Sequence, residues 1–242
     1  MPAEIVLITA THQGPELADE LRDHAPGLRV SIVATRAELD AVFAERVARR
    51  RLIAFTTDLI VPAAYIDSCD CGAYNFHPGS PQYPGVYPES FAVFEGAERF
   101  GATAHEMTAR VDAGPIVATE WFAIERDWGR MHVATLAYAA LLRVFLRLAP
   151  QLAAQDAPLP RTAETWTGPT RLRAEYRRMC EISPDVSVEE YRRRYRAFGE
   201  GPTRDFHVTL HGHRYVLENP WTPADLARQI GLDPPQRDTD RN

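Results

Sequence analysis

Two polar side chains close an otherwise apolar run, Gly72-Ala73-Tyr74-Asn75-Phe76-His77-Pro78. On an extended strand, residues two apart project from one face, so Asn75 and His77 stand side by side. Pro78 biases His77 away from helical geometry and ends the strand. The carboxamide can donate to a developing oxyanion, and the imidazole can carry a proton near neutral pH. At the carboxyl edge of an open α/β sheet such a pair would sit where ligands bind. The same residues would also serve a strand end whose polar groups only satisfy a turn. Asn-x-His-Pro by itself does not decide between the two.

The elements that must position this pair are readable around it. Residues 4–10 and 28–34 and Leu52-Ile53-Ala54-Phe55 read as strands, the first nearly all apolar, as expected when both faces are buried. Pro15 opens a helix to His24, Arg36 to Arg50 reads as a second helix, and Asp58-Leu59-Ile60-Val61-Pro62 leads into a short one ending near Asp67. Alternation of strand and helix predicts an α/β fold: a Rossmann-like, open, mostly parallel sheet with right-handed crossovers and helices on both faces. No Gly-x-Gly-x-x-Gly follows the first strand, which removes the main support for dinucleotide binding. Pro88 to Ala97 predicts a helix. Trp128 to Gln155 predicts a long one with an apolar stripe through Val133, Leu136, Ala137, Ala140, Leu141, Val144, Phe145 and Leu148, kinked or ended at Pro150.

A second stretch carries more chemistry. Gly101-Ala102-Thr103-Ala104-His105-Glu106-Met107 reads as a strand, Thr108-Ala109-Arg110-Val111-Asp112-Ala113-Gly114 as a loop, and Pro115 to Ile124 as another strand. His105 falls in step with Thr103 and Met107, a pattern that favours a buried, hydrogen-bonded histidine over a catalyst. Asp112 lies 35 positions after His77. Together with Asn75-Phe76-His77-Pro78, this stretch resembles the folate-dependent formyltransferase family. That family shows Asn-x-His-Pro, a loop closing on Pro and Gly, a Gly-x-Thr-x-His strand and Asp-x-Gly-Pro-Ile. The resemblance covers residues 1–150 and is strongest from Ala54 to Val117. It departs in one place: the loop from His77 to Gly85 is one residue shorter, with Gly79-Ser80 where the family has Ser-Leu-Leu.

The resemblance implies that Asn75, His77 and Asp112 are catalytic and that the cosubstrate is 10-formyltetrahydrofolate, with no metal. It also implies that Leu59, Ile60 and Val61 line the pterin pocket, largely through backbone groups, with Arg110, Val111 and Asp112 completing the cofactor side. The same apolar residues would equally serve a packed strand-to-helix connection. Pro78, Gly79, Ser80 and Tyr83 are the expected acceptor wall. Formyl transfer to an amine has to stabilise an oxyanion and remove a proton from the attacking nitrogen. Asn75 and His77 can donate to that oxygen, and Asp112 can orient the imidazole or a water and help the proton leave.

Composition narrows the alternatives. The chain has 242 residues and a net charge of -6, which argues against nucleic acid as the main partner. All 27 basic residues are arginine. Without lysine there is no Schiff-base nucleophile and no P-loop lysine. Three cysteines make no disulfide framework, and Cys69-Asp70-Cys71 lacks a second pair at zinc-site spacing. No signal peptide or membrane-length apolar stretch was expected, and cytoplasm follows.

Residues 1–160 read as the catalytic domain and 161–242 as a small extension of helices and a β-hairpin. Within it, 156–169 reads as a Pro/Thr-rich linker or a return across the sheet. Arg171 to Arg196 reads as one or two short helices with a solvated arginine face, or, less simply, a site for a substrate phosphate. Asp205 to Leu217 reads as a hairpin whose His207, His211 and His213 rarely close a metal set. The tail after Pro223 reads as a short helix and a disordered end.

Tyr195-Arg196-Ala197-Phe198 and the hairpin resemble the start of the appendage in tRNA and amino-sugar formyltransferases, without room for a full barrel. The expected acceptor is therefore a small-molecule amine, first a nucleotide-linked amino sugar. A hydroxylated amino acid of siderophore type, methionyl-tRNA and water (hydrolysis of the donor) remain alternatives. So does a non-catalytic folate- or nucleotide-binding module on the same fold. A homodimer is left open.

Overall fold

The computed structural model describes residues 1–201 and 203–217; the helix expected after Pro223 lies outside them. The elements run β1 (Glu4–Ile8), α1 (Gly14–His24), β2 (Arg29–Val33), α2 (Arg36–Ala44), β3 (Arg50–Phe55), α3 (Ala63–Asp67), β4 (Ala73–His77), α4 (Pro88–Glu95), β5 (Arg99–Glu106), β6 (Ile116–Ala123), α5 (Arg130–Ala154), α6 (Arg173–Cys180), β7 (Glu181–Ile182), α7 (Val188–Arg194), a π-helical turn (Tyr195–Gly199), β8 (His207–Leu210) and β9 (His213–Val216). Six strands form one sheet in the order β2-β1-β3-β4-β5-β6. The first four are parallel and β5 pairs antiparallel with β4, setting Asn75 opposite His105 and His77 opposite Thr103. The sheet is mixed but mostly parallel in its first half, as the alternation of elements predicted.

Side-chain alternation puts helices on both faces. Ile5, Leu7, Ile53, Phe55, Tyr74 and Phe76 pack with Leu17, Ala18 and Leu21 of α1 and with Leu141, Val144, Phe145 and Leu148 of α5. On the opposite face Val6, Ile8, Leu52 and Ala54 pack with Leu39 of α2 and the half-buried Tyr65 and Ile66 of α3. Each such aliphatic or aromatic side chain is worth about 1.5–3 kcal/mol when fully withdrawn from water. This burial sets the register and so fixes which face Asn75 and His77 occupy.

Three expectations need correction. The second helix ends at Ala44, not Arg50, and β3 begins at Arg50. Thr35 and Glu38 form a capping box at the start of α2. At the other side, the Asp70 carboxylate takes the N–H groups of Arg49 and Arg50 at 2.9 and 2.8 Å, holding the left-handed turn at Arg49, φ 57°, from which β3 starts. Arg50 and Arg51 then enter the sheet buried, which no propensity rule anticipates.

Pro150 does not end α5, which continues to Ala154. Pro150 and Leu146 lie on the exposed face, where water can take the carbonyl left without a donor. Arg51 bonds the last carbonyls: Leu152 O, Gln155 O at 2.8 Å, and Ala157 O beyond the helix at 3.0 Å. A guanidinium there satisfies orphan acceptors and opposes the negative end of the helix dipole. By length and composition α5 could also cross a membrane, contrary to the expectation of no such stretch, but its apolar stripe forms core with the sheet.

The compact units follow no single cut and run across residue 160. One comprises Met1–Gly85, Gly101–Phe122 and Ala137–Thr170; the other comprises Val86–Phe100, Ala123–Leu136 and the described residues from Arg171 on. In the second unit the 205–217 hairpin forms as predicted, turning on His211 and Gly212, both at positive φ. β7 adds a third strand that the sequence did not suggest. Arg171, Arg193 and Arg194 make the ion pairs at helical spacing, with Glu175 and Glu190. Arg130 is buried between Glu89, at 3.5 Å, and the Tyr176 hydroxyl, at 3.0 Å.

Candidate active site

The carboxyl end of β4 delivers Asn75 and His77, β5 delivers His105, and the loop after β5 delivers Asp112. All belong to the first unit. Asp112 is 5% exposed and is the hub. Its Oδ1 accepts from Asn75 Nδ2 at 3.2 Å and lies 3.1 Å from His105 Nε2. Its Oδ2 accepts the Gly85 N–H at 2.8 Å and lies 3.4 Å from His77 Nδ1. The backbone at Asp112 is left-handed, with φ 44°, a conformation that Asp tolerates better than most residues. The loop therefore turns this carboxylate inward, where sequence spacing alone could not place it.

The ring nitrogens are individually assigned by their partners. His77 Nε2 donates to the Tyr83 carbonyl at 3.0 Å, which leaves Nδ1 facing the carboxylate. His105 Nδ1 donates to the Glu106 carbonyl at 2.8 Å, leaving Nε2 between Asn75 Nδ2, at 3.1 Å, and Asp112. Burial by itself would raise the pKa of Asp112. The two imidazoles and the Gly85 N–H outweigh it and hold the carboxyl far below the usual carboxylate range. Asp112 thus stays ionised and offers charge and orientation.

A cleft opens on this cluster. It is lined by Leu59, Ile60, Val61, Arg110, Val111, Asn75, His105 and Asp112, with Thr57, Met107 and Thr108 between them. All six residues expected on the cofactor side are thereby brought together with two of the three expected catalytic residues. His77 stands behind Asp112, off the cleft lining. In the shortened loop, Gly79, Ser80 and Tyr83 are buried and Pro78 half-buried. The Gly79 carbonyl accepts from Thr103 Oγ1 at 2.7 Å and the Tyr83 carbonyl from His77, so here the loop's backbone shapes the site.

His105 is buried and hydrogen-bonded, as its pattern suggested, yet its partners are Asn75 and Asp112. It belongs to the cluster. Its place opposite Asn75 across an antiparallel pair was the missing signal. Trp166, in the stretch read as a linker or a return across the sheet, meets both imidazole rings edge-on and was not foreseen. Among the described residues no group of three or more His, Cys, Asp or Glu side chains is placed to hold a metal ion. Burial pushes the Cys69 thiol up to about 12 and raises Cys71 as well, so neither is a ready thiolate.

The chain is similar to known proteins in sequence and in fold. The family model described as formyl transferase matches residues 4–132, more than half of the chain. The dTDP-4-amino-4,6-dideoxyglucose formyltransferase of Mycobacterium tuberculosis is 32% identical over 122 residues, covering 42% of this chain and 51% of that protein. The match thus spans about half the length of this curated relative. A 4-N formyltransferase from Francisella tularensis is similar in fold, with a TM-score of 0.69 at 17% identity over 89% of this chain and 96% of that one. So is an N-formyltransferase from Helicobacter canadensis, solved on complex with folinic acid and dTDP-3-aminofucose. Its TM-score is 0.61 at 11% identity, over 88% of this chain and 86% of that one.

Proposed function

The chain belongs to the formyl transferase family, and from that premise we propose that it moves a formyl group from 10-formyltetrahydrofolate to the amine of a nucleotide-linked amino sugar. The observation that carries the proposal is the convergence of Asn75, His77, His105 and Asp112 around one carboxylate at a cleft. Two apolar residues of the cleft lining support a flat donor. Ile60 and Val111 on its lining are 68% and 53% exposed, and a heterocycle lying on them would withdraw apolar surface from water. When bound, the donor would supply a formyl carbonyl activated on nitrogen.

The chain's own residues then have separate tasks. As the acceptor nitrogen bonds the formyl carbon, Asn75 Nδ2 exchanges its bond to His105 Nε2 for one to the oxygen on which negative charge develops. The ionised Asp112 faces Nδ1 of His77 and Nε2 of His105, and backbone carbonyls hold the other nitrogen of each ring. With its carboxyl held so far down, Asp112 is a poor final proton acceptor. It orients the imidazoles, and the proton leaving the acceptor nitrogen passes through an imidazole or a water toward the departing donor nitrogen. The acceptor assignment is supported by the mycobacterial relative's name and by the dTDP-3-aminofucose of the Helicobacter canadensis protein.

Release of tetrahydrofolate from 10-formyltetrahydrofolate, measured with dTDP-amino sugars, hydroxylated amino acids, methionyl-tRNA and water alone, tests the proposal. Turnover is expected with a nucleotide-linked amino sugar, and it is expected to vanish in His77→Ala and Asp112→Asn while folate binding persists. Turnover with water alone, or folate binding without turnover on any acceptor, would overturn it.

A further inference from the structure

The stretch from Leu159 to Gly168 has no regular secondary structure, yet it is tied to every element that carries the site. Leu159 N–H donates to the Tyr74 hydroxyl at 2.8 Å, on the strand that bears Asn75 and His77. Arg161 grips Glu106, the residue after His105, with two bonds of 2.8 Å. Thr162 N–H donates to Ile116 O at 2.8 Å, where the Asp112 loop rejoins the sheet. Trp166 Nε1 donates to Gly114 O at 2.8 Å, two residues after Asp112. Thr167 N–H donates to Pro81 O at 3.0 Å in the loop after His77. Gly168 lies so close to Gln82 O that an added Cβ would stand 1.7 Å from it.

Trp166 is where these ties meet the chemistry. Its ring lies 5.9 Å from that of His77, at 65° between planes, and 5.1 Å from that of His105, at 87°. Both are edge-to-face arrangements, the favoured geometry for aromatic pairs. One indole thus contacts both imidazoles while its N–H holds the loop that presents Asp112. We infer that Trp166 is a positioning residue for the formyl-transfer site: with its strap, it fixes the angle between the two imidazoles and Asp112 without itself contacting substrate. The assignment deepens the proposed function and rests on it for the kinetic arm only.

Two readouts separate this role from a general structural one. In the unliganded protein, the ring-proton NMR resonances of His77 and His105, assigned with His→Gln variants, should both carry the ring-current shift of the indole. Trp166→Leu should move both; Trp166→Phe, which keeps a ring and drops the Gly114 bond, should move them less. In the release assay Trp166→Leu should lower kcat by about 10²-fold, the size of loss a small misplacement produces. KM for donor and acceptor should be unchanged, and Trp166→Phe should fall between it and the wild type.

Histidine resonances indifferent to both substitutions would overturn the assignment. A loss confined to KM would overturn it too, because the indole would then be a binding wall. If Trp166→Leu does not fold, Trp166→Phe decides: wild-type kcat with unmoved resonances rejects the role. If the wild type transfers no formyl group at all, the proposed reaction fails, while the resonances still show whether Trp166 holds the two rings.

Discussion

Two buried carboxylates in the same unit invite comparison. Glu4, at the amino end of β1, is 1% exposed, and Asp112, beyond the carboxyl end of β5, is 5% exposed. Glu4 is held by Arg50 at 2.7 Å, Arg29 at 3.0 Å and the Ser31 hydroxyl at 2.8 Å. Burial would raise its pKa, but the Ser31 bond and the two guanidiniums lower it. Asp112 is lowered by the same kind of balance. The direction of the shift and the exposure therefore do not distinguish them. The partners do. Guanidiniums are permanent charges, so Glu4 has one state and closes one edge of the sheet. Imidazoles can gain or lose a proton, and Asp112 borders a cleft. A site is marked by partners that can change state and by access, more than by the shift itself.

The sharpest way to break this contrast is to exchange chemistry for stability. Asn75→Ala, which removes one donor beside Asp112, should cost about 10²–10³ in turnover, read from tetrahydrofolate release, with little change in unfolding midpoint. Wild-type turnover would end the oxyanion assignment. Glu4→Gln should do the reverse. It strands a buried Arg50 and should cost about 3 kcal/mol in urea unfolding, while turnover per folded molecule is unchanged. A Glu4 variant that folds normally but loses activity would erase the distinction.

Acid unfolding sharpens it further. Both carboxyls bind protons more weakly in the native than in the unfolded chain. Their stabilisation is thus complete above about pH 4, the unfolded range, and is lost as pH falls toward their lowered native values. Asp112→Asn and Glu4→Gln should each flatten the fall of unfolding free energy below about pH 4. Urea titrations that keep the wild-type slope would contradict the lowered values. The smallest effect serves as a control: Thr35→Ala opens the capping box of α2 and should cost about 1 kcal/mol, with no change in turnover.

How much was legible depended on the range of the interaction. Asn75-x-His77-Pro78 could be placed at a strand end because alternation and the proline restriction are local. The resemblance added Asp112 and the cleft residues Leu59 to Val61. His105 escaped because its meaning lies in the pairing of β5 with β4, which no local pattern encodes. Trp166 escaped because a Pro/Thr-rich stretch without periodicity reads as a linker or a return across the sheet, and neither reading says which residues it touches. Arg50 looked like the end of a charged helix, and Arg51 fell between it and the next strand. Their tertiary partners explain why they are buried: Glu4 and the Val42 and Glu45 carbonyls for Arg50, the Cys71 carbonyl and those at the end of α5 for Arg51.

By itself the sequence determined the succession of strands and helices through α5, the apolar faces that fold them into an α/β sheet, and the side-by-side setting of Asn75 and His77. Those follow from periodicity and backbone restriction, which act over a few residues. The tertiary structure alone decided which charges meet: Asp112 with two imidazoles, Glu4 with two guanidiniums, and one indole against both histidines. Such meetings depend on register and loop closure between residues tens of positions apart, and burial of the intervening core is what supplies the free energy to hold them.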